Sequence, residues 1–280
     1  SLTKKSHTDL IEELSTDNQV ELLNPLSQDL NGMRQSLVFS GLENIVYNIN
    51  RKNTDLKLYE FGKTYHLYKE YTENRKLMLL ACGQQKTENW NNENNKVDLF
   101  WMKEQVEHIL IRLGIKKLKG KAVNNSYLIN GFSFAVKKKT VATFGTLKKK
   151  MIKAFDVKSE VLYAEFEWDT ILELCKTSKT IYQTVPKFPV VRRDLSLLVD
   201  SSVEFKTLQS LANQCENQLL KSVNLFDVYE GNKLPDGKKS YALSFVLQDE
   251  SKTLTDEHID KVIDKLMKVF QEKAGAEIRM

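Results

Sequence analysis

The sequence predicts an α+β protein built from two parts, and three observations lead to this prediction. Strand-like and helix-like segments alternate irregularly over residues 1–180, as they do in folds with mixed or antiparallel sheets. From residue 188 the order becomes regular: strand, helix, strand, strand, helix, strand. Between the two lies Val185-Pro186-Lys187-Phe188-Pro189, which contains two of the four prolines. Because proline fixes φ and disfavours a preceding helix, this segment is predicted to be a stiff, extended connection.

The composition limits the classes of protein to which this chain can belong. The 280 residues are 41% hydrophobic and 28% charged, values typical of a soluble globular protein. No run of ~20 apolar residues exists, so we expect no membrane span. The first residues, Ser1-Leu2-Thr3-Lys4-Lys5, lack an initiator Met and a signal-peptide core, which suggests a fragment of a longer chain. The three cysteines form no CxxC pair, which fits a reducing, cytoplasmic setting.

The positive charge is unevenly distributed. The net charge is +5, but from residue 181 onward 14 Lys and Arg face 15 Asp and Glu. If the second part binds nucleic acid, local patches must do so, because that part has no overall positive field. His66, His108 and His258 have no ligand partners at metal spacing, so we expect no metal site and read them as structural or surface residues.

The first part is predicted to contain an antiparallel strand pair, Leu58–Tyr65 with Arg75–Cys82. The remaining predicted elements are a short helix around residues 10–14, a strand at Val20–Leu23, a helix after Gly41, a helix capped by Asp98, a helix over Thr146–Phe155, a strand at Val161–Trp168 and a helix capped by Asp169.

The second part is predicted to be a ferredoxin-like domain, because its element order is β-α-β-β-α-β. The predicted elements are strands at Asp194–Val199, Val223–Tyr229, Ser240–Gln248 and Ala276–Met280, a helix with its apolar face from Phe205 to Leu219, and a helix from Thr255 to Gly275. In this fold both helices pack on one face of the sheet. The other face is left open, and it is the natural place for a ligand.

Four signatures in the second part carry a family resemblance. They are Phe188-Pro-Val-Val-Arg-Arg-Asp-Leu-Ser, Leu225-Phe-Asp-Val-Tyr-Glu-Gly, Gly237-Lys-Lys-Ser-Tyr-Ala and Lys252-Thr-Leu-Thr-Asp-Glu. Together they resemble the ferredoxin-like anticodon-binding domain of the bacterial phenylalanyl-tRNA synthetase β subunit. Three upstream segments resemble that subunit's catalytic-like module, which is similar to a class II synthetase fold with an antiparallel sheet. They are Asn24-Pro-Leu-Ser-Gln-Asp, Met33-Arg-Gln-Ser-Leu and Leu58-Tyr-Glu-Phe-Gly-Lys-Thr-Tyr.

The resemblance implies that two kinds of subunit have different roles in a larger enzyme. The family's α subunit activates phenylalanine with ATP and Mg and transfers it to the tRNA, within an (αβ)2 heterotetramer. The β module supports α, and the last domain holds the anticodon end of phenylalanine tRNA. We therefore expect an inactive synthetase-like module over 1–180, a linker over 181–187 and an anticodon-binding domain over 188–280. No cofactor is expected in this fragment.

The residues themselves argue against catalysis in the first part. The second active-site motif of the class II fold places an Arg, and a Glu two residues later, after a strand; the Arg clamps the α-phosphate of ATP. Here the matching place reads Tyr65-His66-Leu67-Tyr68. The third motif is glycine-rich and ends in an Arg, whereas Gly131 and Gly145 are followed by lysines. A site without those cations cannot stabilise the charge of adenylation. We expect no catalytic residue.

Eight residues are candidates for RNA contact in the anticodon-domain match. Arg192, Arg193, Lys238 and Lys239 are candidates for phosphate contacts, which position RNA rather than specify it. Tyr229 is a candidate for stacking on an unpaired base. Strict alternation of the second strand would put Leu225, Asp227 and Tyr229 on one face and Phe226 and Val228 on the other. Ser196, Ser240 and Ser244 are candidates for hydrogen bonds to bases or sugars. In the competing interpretation all eight merely lie on a solvated face or flank turns.

Other functions share the same element order. An RNA-recognition motif would carry a basic residue, Gly and aromatics on its third strand, but Lys239-Ser-Tyr-Ala-Leu-Ser-Phe lacks the Gly. A small-molecule regulatory domain would not explain the upstream module. A purely architectural module, or an RNA-binding one without tRNA specificity, stays as the alternative.

Overall fold

The chain divides into two compact units, Ser1–Ile181 (unit 1) and Tyr182–Met280 (unit 2). The computed structural model describes residues 2–25, 30–116, 118–176, 181–182 and 184–279. Within that part of the chain, no helix is both long and apolar enough to cross a bilayer. Residues 26–29, in the motif that begins at Asn24, and residue 183 of the expected linker lie outside the described residues.

Unit 1 begins with short elements and continues as strands and helices. In chain order they are β1 (Leu2–Thr3), 3-10 helices at Lys5–Leu10 and Thr16–Asn18, β2 (Gly32–Met33), α1 (Val38–Ile49), β3 (Leu56–Leu67), β4 (Tyr71–Cys82), α2 (Leu99–Arg112), β5 (Lys119–Ala122), β6 (Leu128–Val136), β7 (Lys139–Leu147), α3 (Lys149–Ala154), β8 (Leu162–Glu167) and α4 (Trp168–Lys176). The predicted pair of long antiparallel strands is confirmed as β3 and β4.

Three expectations for unit 1 are wrong. The helix expected around residues 10–14 is instead a 3-10 helix that ends at Leu10. The strand expected at Val20–Leu23 is reduced to an isolated bridge between Glu21 and Gly32, since an apolar run without a long neighbouring strand has no ladder to join. The helix expected from Thr146 starts at Lys149, because Thr146 still pairs with Leu162 in the sheet.

The six-stranded sheet of unit 1 is covered on both faces. Its antiparallel order is β3-β4-β8-β7-β6-β5. Leu80 of β4 packs in one core with Ile45 of α1, whereas Leu77 of the same strand packs in another with Val106 of α2 and Phe166 of β8. Residues of opposite parity on β4 thus enter different cores, as the two-residue period of a strand requires.

The two predicted helix caps in unit 1 have different outcomes. Asp98 caps α2 as predicted, since its side chain accepts a hydrogen bond of 2.7 Å from the backbone N–H of Trp101. Asp169 lies inside the first turn of α4 and is not its cap. Its carboxylate instead accepts hydrogen bonds from the backbone N–H and the guanidinium of Arg75, at 2.9 and 2.6 Å. This contact ties α4 to β4, and it lowers the pKa of Asp169.

Unit 2 confirms the predicted ferredoxin-like order. Its elements are β9 (Val191–Asp200), α5 (Phe205–Cys215), β10 (Leu220–Tyr229), β11 (Lys238–Leu247), α6 (Asp256–Ala274) and β12 (Glu277–Arg279). The strands form one antiparallel sheet in the order β10-β11-β9-β12. The first strand starts three residues earlier than predicted, so Arg192 and Arg193 pair with Val246 and Phe245 of β11. The predicted α+β class, with an antiparallel-sheet module followed by a ferredoxin-like domain, is confirmed.

The two helices of unit 2 cover one face of its sheet. Leu243, Phe245 and Leu247 of β11 are completely buried, and they pack in one core with Leu208 of α5 and Phe270 of α6. The ring of Phe270 lies 6.0 Å from that of Phe245. Residues of the opposite parity on the same strand carry the other, helix-free face, which we call the open face. The side chains of β11 are therefore placed by their parity.

Substitution of Phe245 by Ala tests this assignment of faces. We expect the free energy of unfolding of unit 2 to fall by about 3–5 kcal/mol, because a fully buried ring leaves a cavity. The neighbouring Val246→Ala, on the open face, is the matched control and should cost about 1 kcal/mol or less. Urea denaturation followed by far-UV circular dichroism measures both. Equal losses for the two variants would contradict the assignment.

Candidate nucleic-acid interface

The open face of unit 2 is the candidate interface, and the strand register defines which residues it carries. On β11, Ser240 and Ala242 are opposite in parity to the buried Leu243, so both lie on the open face. Leu198 and Ser196 of β9 pair with Ser240 and Ala242, and they therefore lie on the same face. Their hydroxyls lie 3.3 Å apart. The predicted Ser196, Ser240 and Ser244 thus share the open face. Ser240 and Ser244 are only 8% and 3% exposed, so a ligand reaches either hydroxyl only if neighbouring side chains move.

The two adjacent arginines of β9 point to opposite sides of the sheet. Arg192 is on the open face, where its guanidinium makes two hydrogen bonds to Asp194, at 2.8 and 3.1 Å. This contact raises the pKa of Arg192. Arg193 has the parity of Phe245 and forms an ion pair of 3.0 Å with Asp256, at the start of α6. The structure therefore places Arg192, and not Arg193, among the predicted open-face residues.

The two lysines at the start of β11 are also separated by their parity. Lys238 is on the open-face side, where its Nζ lies 3.4 Å from a carboxylate oxygen of Glu277. Lys239 is only 8% exposed. Its ammonium donates a 2.7 Å hydrogen bond to the carbonyl of Ser201 and lies 4.8 Å from the ring centroid of Tyr241. These contacts give Lys239 a structural role on the helix-covered side, instead of the phosphate contact expected for it.

A β-bulge in β10 changes the predicted alternation of that strand. Leu225 pairs with Leu243 but Asp227 pairs with Ala242, so Phe226 is an extra residue. The prediction that Leu225 shares a face with Asp227 and Tyr229 is therefore wrong, because Leu225 packs against the core. Phe226 is instead 49% exposed. The sequence gives no signal for this bulge, and the aromatic residue that it displays was missed for that reason.

Tyr229 lies on the open face at the end of β10, as predicted. It pairs with Ser240 across the strands, and it is 40% exposed. A Cβ atom on Gly231 would come within 2.9 Å of its hydroxyl oxygen, so glycine at this position leaves room for the ring. A half-exposed aromatic ring thus lies at the strand position paired with Ser240, an arrangement suited to an unpaired base.

In unit 1 the residues at the second-motif position supply no cation. Tyr65, His66 and Leu67 end β3, and Tyr68 begins the turn to β4. Burial, and then the charge of Lys76, lower the pKa of His66, so its imidazole is neutral near pH 7. The ring of Tyr68 is stacked on that imidazole at 5.6 Å. These side chains pack against one another and offer nothing that would clamp a phosphate.

The nearby cations of unit 1 are held by carboxylates. Lys76 lies between Glu165 and Glu167, at 3.1 and 2.5 Å. Burial opposes the charge on Lys76, but the two carboxylates outweigh it and raise the pKa of that ammonium. Burial and Glu165 also raise the pKa of Tyr163, whose hydroxyl donates a 2.7 Å hydrogen bond to the same carboxylate. This charge cluster is internally neutralised to a large extent.

Arg34 joins two of the segments that carried the resemblance. It is 5% exposed and forms an ion pair of 2.5 Å with Glu60, while its Nε donates to the carbonyl of Lys63 at 3.0 Å. A Cβ atom on Gly62 would lie 2.2 Å from a guanidinium nitrogen of Arg34. Glycine at 62 is therefore required for this contact. Arg34 locks β3 to the segment before α1, and its hydrogen-bonding capacity is used inside the protein.

The described residues contain no group of three or more His, Cys, Asp or Glu side chains placed to hold a metal ion. Cys82, Cys175 and Cys215 are free thiols. Cys82 is buried, and burial raises the pKa of its thiol, which makes it unreactive.

Two family models match the chain. One is described as the phenylalanyl tRNA synthetase beta chain CLM domain and matches residues 1–168. The other is described as the ferredoxin-fold anticodon binding domain and matches residues 186–279. These ranges follow the two units of the structure, and the matches confirm the resemblance inferred from the signatures.

Similar proteins are named phenylalanine–tRNA ligase beta subunit. That of Bacteroides fragilis is 44% identical over 292 residues, which cover 100% of this chain and 36% of the relative. That of Porphyromonas gingivalis is 38% identical with the same coverage, and that of Fusobacterium nucleatum is 32% identical, covering 94% of this chain and 34% of the relative. The chain thus spans about a third of their length. A pyrrolysyl-tRNA synthetase structure from Desulfitobacterium hafniense is 10% identical, with a TM-score of 0.46 over 65% of this chain and 63% of the other, which is too weak to assign a fold.

Replacement of Lys76 by Met tests the role of the charge cluster. We expect unit 1 to lose about 3 kcal/mol of stability, because the largely buried carboxylate of Glu165 is left without its cation, and the half-exposed Glu167 loses its partner as well. The matched control is Lys103→Ala, which removes an exposed ion pair to Glu107 on α2 and should cost about 0.5 kcal/mol or less. Urea denaturation monitored by tryptophan fluorescence measures both. A loss no larger than that of the control would show that the cluster is dispensable for stability.

Proposed function

The chain belongs to the phenylalanyl-tRNA synthetase β-chain family, and from this membership we propose that it forms the C-terminal part of a phenylalanine–tRNA ligase β subunit. In this proposal residues 188–280 bind the anticodon region of phenylalanine tRNA. The observation that carries it is the four-stranded sheet within the anticodon-domain match, whose one face is free of helices and displays Arg192, the partly exposed Ser196 and Tyr229. Single-stranded RNA loops bind to such surfaces by stacking and by hydrogen bonds to base edges.

The proposed contacts differ in strength. Tyr229 stacks on an unpaired base, and the hydroxyl of Ser196 bonds to a base or sugar. Arg192 and Lys238 contact phosphates, but each must first exchange a carboxylate partner for the RNA. We therefore expect weak binding that falls steeply with salt. Arg193 and Lys239 lie outside the proposed surface, and the buried Ser240 and Ser244 contribute only if the side chains that cover them move.

For residues 1–180 we propose a module that does not catalyse adenylation. In the complete enzyme, ATP and Mg would be used by a catalytic α subunit, which this module would support in an (αβ)2 heterotetramer in the cytoplasm. The described residues of unit 1 do not fit ATP. Lys76 and Arg34 are held by glutamates, and His66 is neutral where a phosphate clamp would be needed. Adenylate chemistry requires free cations at that place.

One observation favours the alternative of an architectural or unspecific RNA-binding module. Arg192 and Lys238 are both paired with carboxylates, as is common for charged residues on a solvated surface that binds no ligand. The two functions differ in anticodon dependence, because an architectural module has no reason to distinguish one anticodon from another.

Filter binding of the 280-residue chain to phenylalanine tRNA tests the proposed function. We expect binding that weakens at least several-fold when the anticodon is altered. Arg192→Ala should weaken binding further and reduce the slope of log affinity against log salt by about 1, because one phosphate contact is lost. Arg193→Ala, the same substitution one residue along but on the helix side, is the matched control and should leave affinity unchanged. Equal affinity for both anticodons would support the alternative.

Pyrophosphate exchange tests the inactive module. We expect the 280-residue chain to show no exchange in the presence of phenylalanine, ATP and Mg, because its potential phosphate-binding cations are engaged by glutamates. A complete phenylalanine–tRNA ligase under the same conditions is the positive control. Exchange above background that is lost on heating the chain would refute this part of the proposal.

A further inference from the structure

Phe226 is a large apolar side chain exposed on the open face at the β-bulge. It is 49% exposed, although a phenylalanine in a sheet normally faces the core. The bulge makes Phe226 and Asp227 together oppose the single residue Ala242, and in such a bulge both side chains point to the same side. The register thus forces Phe226 toward solvent. Its exposure is a property of the backbone and does not reflect loose packing.

Arg192 lies over this ring in a fixed orientation. Its guanidinium carbon is 5.2 Å from the ring centroid of Phe226, within the range of a cation–π contact. The two hydrogen bonds to Asp194 are bidentate, and this geometry fixes the guanidinium plane. An exposed ring and an oriented planar cation together make two surfaces on which a flat aromatic group can lie.

Phe226 and Tyr229 lie on the open face on either side of Asp227. Asp227 and Tyr229 are two residues apart on this face, a separation of about 6.6 Å along a strand. Phe226 precedes Asp227, so it lies at least as far from Tyr229, well beyond the 3.4 Å rise between stacked bases. Two successive bases on these aromatic rings would therefore be separated from each other, as unpaired bases in RNA loops are when proteins bind them.

We propose that Phe226 and Arg192 form a second base-stacking position, which holds the unpaired nucleotide next to the one on Tyr229. The inference rests on the proposed anticodon binding and adds a position to it. Phe226 supplies the apolar stacking surface. Arg192, already oriented by Asp194, supplies a planar group beside it, so its role goes beyond that of a phosphate contact.

The charge of the surroundings favours a base over a phosphate at this position. The Arg192 cation is matched by Asp194, and Asp227 carries a second carboxylate at the next position of the strand. A phosphate placed over the ring of Phe226 would be repelled by both negative charges, whereas a neutral base would not. The phosphate contact proposed for Arg192 is therefore not made over this ring. Base–aromatic stacking tolerates such surroundings, because every base offers a π face.

The test uses the 280-residue chain and phenylalanine tRNA that carries 2-aminopurine, in separate preparations, at each anticodon position. The fluorescence of this base analogue changes when its stacking partner changes. For one position we expect a fluorescence change on binding to the wild type that Phe226→Ala abolishes, with about tenfold weaker binding. Phe226→Leu, which keeps apolar area without the ring, should behave like Phe226→Ala, and Phe226→Tyr should restore both signals. Arg192→Lys, which keeps the charge without the plane, should weaken binding by about threefold.

Val228→Ala is the matched control. Val228 is 47% exposed on the same strand, but it pairs with Tyr241 and so has the opposite parity. It should bind tRNA like the wild type. If Val228→Ala and Phe226→Ala weaken binding equally, the effect comes from damage to the strand and the proposal fails.

The outcomes separate this inference from the proposed function. If the wild type binds tRNA in an anticodon-dependent way but Phe226→Ala binds equally well, only the second stacking position is refuted. If the wild type does not bind tRNA, both proposals fail. If Phe226→Ala instead loses association with a protein subunit while tRNA binding is intact, the exposed ring belongs to a protein interface and the inference is overturned.

Discussion

The two helices of unit 2 can cover only one face of its four-stranded sheet, and this one-sided burial determines what each strand residue can do. Leu243, Phe245 and Leu247 fill the core between sheet and helices. Side chains of the other parity lie on the face without helices, and a ligand can reach those that are exposed, such as Arg192 and Tyr229. The hydrophobic core and the candidate interface are thus two consequences of one alternation. Because of the same alternation, Arg192 and Lys238 lie on the open face, whereas Arg193 and Lys239 lie on the helix-covered side.

Unit 1 shows the opposite arrangement, because its sheet is covered on both faces. Charged groups in such a setting must be paired, since a lone buried charge is costly. Lys76 with its two glutamates and Arg34 with Glu60 meet this requirement. Because Lys76 and Arg34 are paired in this way, their charges are not free to bind a phosphate. A module can keep the architecture of a synthetase domain while its cations serve the fold, and the contacts of Arg34 with Gly62 and Lys63 show how closely such a cation can be built in.

Much of this arrangement could be predicted from the sequence, and the errors have identifiable causes. The element order of unit 2, the β3–β4 pair and the Asp98 cap follow from apolar periodicity and local capping chemistry, which depend on nearby residues. The strand expected at Val20–Leu23 failed because pairing depends on distant partners. Asp169 looked like a cap, but Arg75, 94 residues away in sequence, engages its carboxylate.

The candidate site was predicted less completely than the fold. Tyr229, Ser196, Ser240 and Arg192 lie on the open face, since alternation holds along β9 and β11. Lys239 is predicted to contact phosphate, whereas the structure buries it against the carbonyl of Ser201, a contact that no sequence pattern indicates. The bulge has no local signature, so the position of Phe226 was not foreseen either.

The bulge also limits how the chain can change in length. Deleting one residue between Leu225 and Tyr229 would remove the bulge and restore regular backbone pairing. It would also leave one side chain on the open face where Phe226 and Asp227 now provide two. Inserting a residue after the bulge would turn Tyr229 toward the helices. Homologous proteins that use this surface should therefore tolerate insertions and deletions beyond Gly231, in the connection to β11, but not within the four residues before Tyr229.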